Sequence, residues 1–251
     1  MSLRRALTLA GILAGPCAAQ AQSLVHPLPQ TPSTDPRTDP HAFPVNAVGK
    51  LNVVTGPGSR QFCTATLIGR RHVLTAAHCL YDRARKVWVE PGNVHFVAGY
   101  AQGRYTAHAT ARAYVKPDAY RFGTDRESLA RDWAVVALAA DIPLRPLAVA
   151  AGTVTGTLTG ILHAGYRADA SQIVSVETGC TARADPAGPA LLDHSCRIAH
   201  GESGSALIDL SGAEPAVVGV LVATTAGTPP SLAVPAGSFR AAAEAALASE
   251  R

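Results

Sequence analysis

Cys63-Thr64-Ala65-Thr66-Leu67-Ile68-Gly69, then Val73-Leu74-Thr75-Ala76-Ala77-His78-Cys79, sets two short apolar runs on either side of a turn and ends on a histidine. Runs of this length, closed by glycine and containing β-branched residues, read as strands. The same pattern continues from Val45 onward, with Gly and Pro punctuating the loops. It predicts strands over Lys50–Thr55, Ala65–Ile68, His72–Leu74, Val94–Ala98, Tyr105–Val115 and Trp133–Leu138. A second set is predicted over Leu158–Leu162, Gln172–Glu177, Ala206–Leu210, Val217–Ala223 and Ser231–Val234. Short strands at this spacing indicate an all-β sandwich or barrel. One segment differs. Phe239 to Leu247 places Phe239, Ala243 and Leu247 on one helical face, with Ser238 as N-cap. No internal repeat is present.

Two further segments carry chemistry: Asp132-Trp133-Ala134-Val135-Val136 and Gly201-Glu202-Ser203-Gly204-Ser205. Each has an ordinary reading by itself. The glycines could mark a plain turn entering the strand at Ala206, His78 could be a satisfied core histidine, and Asp132 could be a surface acid flanking a strand, with Asp118, Asp125 and Glu127 competing nearby. Taken in order, His then Asp then Ser, they supply a general base, its orienting carboxylate and a nucleophile. A serine hydroxyl attacks poorly near neutral pH unless an imidazole takes its proton, and a carboxylate fixes the imidazole tautomer. Glycines around Ser203 suit a loop whose backbone approaches a substrate closely.

These blocks, with Val45-Asn46-Ala47-Val48-Gly49-Lys50-Leu51 as an opening strand, resemble the trypsin-like (chymotrypsin-fold) serine endopeptidases, and among them the secreted bacterial group related to glutamyl endopeptidases. The similarity runs from about Val45 to near Ser249. It implies an all-β fold of two packed antiparallel β-barrels, about 45–142 and 147–236, that divide near Pro143–Pro146, with a C-terminal helix over about 238–249. It implies a catalytic triad of His78, Asp132 and Ser203, an oxyanion hole from the Gly201 and Ser203 N–H groups, and peptide-bond hydrolysis through an acyl-enzyme. No cofactor is implied, the partner is a protein or peptide substrate, and a monomer is expected. The alternative from another class is a catalytically inactive chymotrypsin-fold binding protein. An esterase on another fold is disfavoured by the His-Asp-Ser order.

The chain departs from the family at two places. Trypsin relatives carry an Asp before the serine, which pairs with a newly freed N-terminus; here Glu202 stands there, so that activation mechanism is not carried over to Val45. Glutamyl endopeptidases carry a histidine on the strand lining the specificity pocket, where this chain has Leu221. Arg197, Leu221, Val222 and Thr224 are the candidates for the specificity pocket. An apolar or small pocket fits the lining strand best.

Met1 to Ala21 reads as a secretory signal peptide, with Arg4-Arg5, a short apolar stretch and Ala19-Gln20-Ala21 as cleavage site. Residues 22–44 carry six prolines, Pro27 to Pro44, among polar residues, and form an extended linker or a pro-segment, the unprocessed chain being a zymogen in the second case. Removing the signal takes Cys17 and leaves four cysteines, an even number in an exported chain, secreted or periplasmic. Of the three possible pairings, Cys63–Cys79 with Cys180–Cys196 is expected. Each bridge would be worth about 3 kcal/mol on the chain-entropy account. His194, Cys196 and His200 have a suggestive spacing but lack a paired ligand motif, and no metal site is expected. Over the 251 residues, 47% are hydrophobic and 16% charged, enough for a sizeable core. The formal charge of +4 falls to +2 without Arg4 and Arg5. No basic cluster points to nucleic acid or, after signal removal, to a membrane.

Overall fold

The computed structural model describes residues 39–188, 190–225 and 228–250. The expected signal peptide and residues 22–38 of the expected linker lie outside the described residues. In chain order, β1 (Val48–Gly56), β2 (Ser59–Gly69) and β3 (His72–Thr75) precede a small hairpin, β4 (Tyr81–Asp82) and β5 (Val87–Trp88). Then come β6 (Val94–Ala98), β7 (Ala107–Val115), a short helix α1 (Arg126–Ala130) and β8 (Ala134–Leu138). Strands β1, β2, β3, β8, β7 and β6 close a barrel in that order. Along β1, Leu51 and Val53 are buried while Asn52 and Val54 are half-buried, because side chains alternate across a strand. Leu51, Leu67, Val73, Phe96 and Val136 are fully buried in this barrel.

A second barrel follows. It is built from β9 (Ala148–Val149), β10 (Thr157–Gly165), β11 (Ser175–Ala184), β12 (Leu192–His194), β13 (Ala206–Asp209), β14 (Ala216–Thr225) and β15 (Thr228–Pro235). The order is β13, β10, β11, β12, β15, β14, and pairing of β14 with β13 closes six strands, while β9 adds in parallel to β14. Among the described residues, closure leaves no long barrel-strand edge open to another chain. The chain ends in α2 (Ala236–Ala248). Phe239 and Ala243 of α2 are buried, and the Phe239 ring lies 6.3 Å from Trp133 of the first barrel. Just beyond α2, Glu250 accepts the Arg71 N–H at 2.8 Å and sits 2.6 Å from His72 Nδ1. The C-terminus of the second half is thereby clasped to the first. Among the described residues no helix is long and apolar enough to cross a membrane.

Three local expectations are corrected. Helix α2 starts at Ala236, not after Ser238, because β15 runs straight into it; Pro235 occupies the N-cap position without a side-chain cap. Strand β11 lies further along the chain than Gln172–Glu177, and its path carries Gly179 at φ 76° and register shifts against β10. Strand β12 was not expected at all, since Leu192-Asp193-His194 places two polar residues in buried positions.

Candidate active site

His78 sits in a single turn of 3-10 helix, Ala77–Leu80, that leaves β3. Ala76 and Ala77 are fully buried, so the turn packs flat on the barrel. A disulfide joins Cys79 to Cys63 on β2 and ties this turn to the neighbouring strand. Strand β3 pairs with β8 through Thr75 and Ala134, which brings the residues just beyond the two strand ends together. Asp132 is one of them, and it is buried. Its Oδ1 accepts the His78 backbone N–H at 2.8 Å and its Oδ2 lies 2.6 Å from His78 Nδ1. A carboxylate only accepts, so Nδ1 carries the proton and Nε2 is the bare, basic nitrogen. Both oxygens of a buried carboxylate are thereby engaged, as its burial requires. Tyr120 lies beside it; burial first, and then the Asp132 charge, push its hydroxyl well above the usual pKa.

Ser203 lies in the loop between β12 and β13. The loop is held from both barrels. Thr64 of β2 donates its N–H to the Ser203 carbonyl at 2.9 Å and its hydroxyl to the Gly201 carbonyl at 3.0 Å. On the other side the Gly204 N–H donates to the Leu221 carbonyl of β14 at 2.8 Å. The two glycines are obligatory. Gly201 has φ 94°, and a Cβ there would lie 2.5 Å from both the Phe62 ring and the Tyr166 carbonyl oxygen. Gly204 has φ 82°, and a Cβ would lie 2.2 Å from Thr75 Oγ1. Only glycine accepts both the left-handed backbone and the close approach. The His200 carbonyl accepts the Ala168 N–H at 2.7 Å. In a trans peptide plane the N–H points opposite to the carbonyl, so the Gly201 N–H faces away from Ala168. Among the described residues no protein acceptor takes the Gly201 or the Ser203 N–H.

His78, Asp132 and Ser203 line one cleft of about 380 Å³. Its walls include Phe122, Ile198, Val222, Ala223 and Leu232. No hydrogen bond between Ser203 and His78 is formed among the described residues. Of the residues expected in the specificity pocket, Val222 lines the cleft. Leu221 is fully buried in the second barrel, and its N–H donates to the Ser205 carbonyl at 2.9 Å. Arg197 is not among the cleft-lining residues. Its side chain is 80% exposed, lies 3.9 Å from Glu177, and borders a separate cavity with His163, Arg167 and Glu202. The Thr224 side chain lies outside the described residues. Ala223 follows Val222 on β14, the strand expected to line the pocket, whereas Ile198 and Leu232 had no sequence signal, being single apolar residues in separate elements.

The second disulfide joins Cys180 to Cys196, ahead of the serine loop. His194, Cys196 and His200 are not brought together as ligands: His194 is buried in the second barrel, Cys196 is bridged, and His200 lines the cleft. Cys63, His78 and Cys79 lie close enough to share an ion, but their two sulfurs are spent in the disulfide. Glu202 is buried and accepts the Ala199 N–H at 2.7 Å. Burial pushes its carboxyl up to about 7, against the opposing pull of Ala199 N–H and Arg167.

Two closed antiparallel barrels with a cleft carrying His, Asp and Ser define a chymotrypsin-like fold. Residues 63–220 match the family described as "Trypsin-like peptidase domain". The chain belongs to that family and is a trypsin-like serine endopeptidase. Solved structures agree on the fold. A thermostable serine protease, AL20, from an extremophilic microorganism is 19% identical with a TM-score of 0.64, over 81% of this chain and 97% of that one. The protease Anisep from Arthrobacter nicotinovorans is 20% identical with a TM-score of 0.60, over 79% and 96%. A Glu endopeptidase in complex with MPD is 21% identical with a TM-score of 0.63, over 84% and 94%. No curated protein matches the sequence.

Proposed function

We propose that the chain is an exported serine endopeptidase that works through His78, Asp132 and Ser203 and cleaves after apolar residues. The observation that carries the reading is the two-pronged bond from Asp132 to His78, in the same cleft as Ser203. Ser203 Oγ attacks the peptide carbonyl carbon while its proton passes to His78 Nε2. The C–O bond forms as the carbonyl electron pair moves onto oxygen, where the Gly201 and Ser203 N–H groups hold the charge. Such donors are each worth roughly 10²–10³ in rate. Collapse expels the amine, which takes the proton from His78, and leaves an ester on Ser203. Water then repeats the attack with His78 as base and frees the acid. The Ser203–His78 hydrogen bond, not formed among the described residues, is made when substrate fills the cleft, as is common in such sites.

Apolar cleft walls and an Arg197 turned toward Glu177 favour an aliphatic or aromatic residue on the acyl side of the cut. The two disulfides support export, because such bridges persist in oxidising compartments. The signal peptide and the choice between linker and pro-segment for residues 22–44 belong to the same reading, and N-terminal sequencing of the exported chain tests them.

A fluorophosphonate probe tests the mechanism. Labelling of the folded, processed chain that disappears in Ser203→Ala is expected. An unlabelled, folded wild-type chain would make it a chymotrypsin-fold binding protein instead. In a peptide library, a preference for Lys, Arg or Glu at the cut would overturn the apolar assignment.

A further inference from the structure

We propose that His163 is a positioning residue for the oxyanion hole, acting through Ser205 on the peptide plane that carries the Ser203 N–H. The inference rests on the reading of that N–H as an oxyanion donor.

The geometry begins at the Glu202–Ser203 peptide. Its carbonyl accepts the Ser205 N–H at 3.0 Å and the Ser205 hydroxyl at 2.6 Å. Holding that oxygen sets the direction of the Ser203 N–H on the opposite side of the same plane. The Ser205 hydroxyl has one proton, and a carbonyl oxygen only accepts, so the proton goes to Glu202. Ser205 Oγ must then accept from its other neighbour, His163 Nε2, at 2.9 Å. That assigns the His163 tautomer: Nε2 bears the hydrogen. All three links are in the interior. Ser205 is fully buried, and His163, on β10, is nearly so.

A rotating hydroxyl is a poor prop by itself, because it can swing to another acceptor. A fixed N–H aimed at its lone pair removes that freedom. Strand β10 pairs with β13 through His163 and Leu207, so the imidazole is anchored on the strand next to the one Ser205 enters. Burial, reinforced by the nearby His194 and Arg167, lowers the His163 pKa to about 3. The ring therefore stays neutral with one N–H donor over any working pH near neutrality. The other oxyanion plane is held differently, by Ala168 N–H on the His200 carbonyl. His163 thus completes the second half of a pair of fixed planes. It touches no reacting atom.

The experiment compares His163→Leu, His163→Gln and Ser205→Ala with wild type. It reads kcat, KM, melting temperature and fluorophosphonate labelling. Leu removes the donor at similar bulk, whereas the Gln side-chain amide can restore an N–H near Nε2. Since loss of a whole oxyanion donor costs roughly 10²–10³, a misaimed one is expected to lower kcat about tenfold to hundredfold, with KM within about twofold. His163→Gln is expected to regain most of that loss, and Ser205→Ala to match His163→Leu. If His163→Leu does not fold, His163→Gln and Ser205→Ala decide together: near wild-type kcat in the first with a tenfold or greater loss in the second supports the proposal, and any other pairing overturns it. The proposal is overturned if folded, labelled Ser205→Ala or His163→Leu keeps wild-type kcat, or if Gln loses as much kcat as Leu at an unchanged melting temperature. Absence of labelling in wild type would instead overturn the proposed function itself.

Discussion

Asp132 holds His78 at two points, and the proposed relay uses both. Its Oδ1 fixes the His78 backbone and its Oδ2 fixes the ring. Asp132→Asn preserves the shape but presents an amide N–H where Nδ1–H needs an acceptor, or forces the other tautomer. A drop in kcat of about 10³–10⁴ is expected, with little change in KM. Steady-state kinetics check it, and a loss under tenfold would remove Asp132 from the relay. Gly204 makes a sharper structural case. Gly204→Ala places a methyl against Thr75 and Thr64 at φ 82°, and strain of this kind costs about 1–3 kcal/mol before any clash is counted. Loss of labelling together with a lower melting temperature is expected, and a silent substitution would contradict the geometry.

The elements were unevenly legible from sequence. The histidine block reads well because its strand, turn, histidine and cysteine are contiguous, and the family resemblance there rests on adjacent residues. Strand β1 is equally clear, since Leu51 and Val53 alternate with less buried neighbours. Strand β12 is not legible: Asp193 and His194 are buried polar residues in a three-residue strand that only barrel closure creates. The start of α2 was misplaced because Pro235 presets the helix entry and leaves Ser238 inside it. The apolar cleft was hardest. Val222 and Ala223 lie on the expected lining strand, β14, but Ile198 comes from the serine loop and Leu232 from β15, and no local pattern links those two to it. Element by element, the first disulfide matters most to the site, because it bridges β2 to the turn bearing His78. Replacing Cys63 and Cys79 by serine is expected to lower stability by about 3 kcal/mol and to lower kcat as the turn loosens. Urea unfolding measures the first part; an unchanged midpoint would contradict it.

At the scale of the molecule, buried ionisable groups pull stability in opposite directions as pH changes. Glu202 has its carboxyl raised from 4.5 to about 7 in the fold. The folded chain holds that proton more tightly, so its contribution is fully present below pH 4.5 and is lost as pH rises through 7. His163 and His194 act in the opposite sense, lowered from 6.5 to about 3 and about 4. Their contribution is present above pH 6.5 and is lost as pH falls toward those values. Glu202→Gln removes the carboxyl's contribution and leaves the two histidines in place. It is expected to raise the melting temperature relative to wild type more at pH 8 than at pH 5. Equal shifts at both pH values would show that Glu202 does not titrate in this window.

In the proposed mechanism both barrels serve to make Ser203 an attacking group, and a covalent intermediate is the direct sign of it. Mass spectrometry of the chain quenched during turnover of a slowly deacylating ester is expected to show one acyl group, on the peptide containing Ser203, and none in His78→Ala. An acyl group on another residue, or active hydrolysis with no adduct on Ser203, would contradict the mechanism.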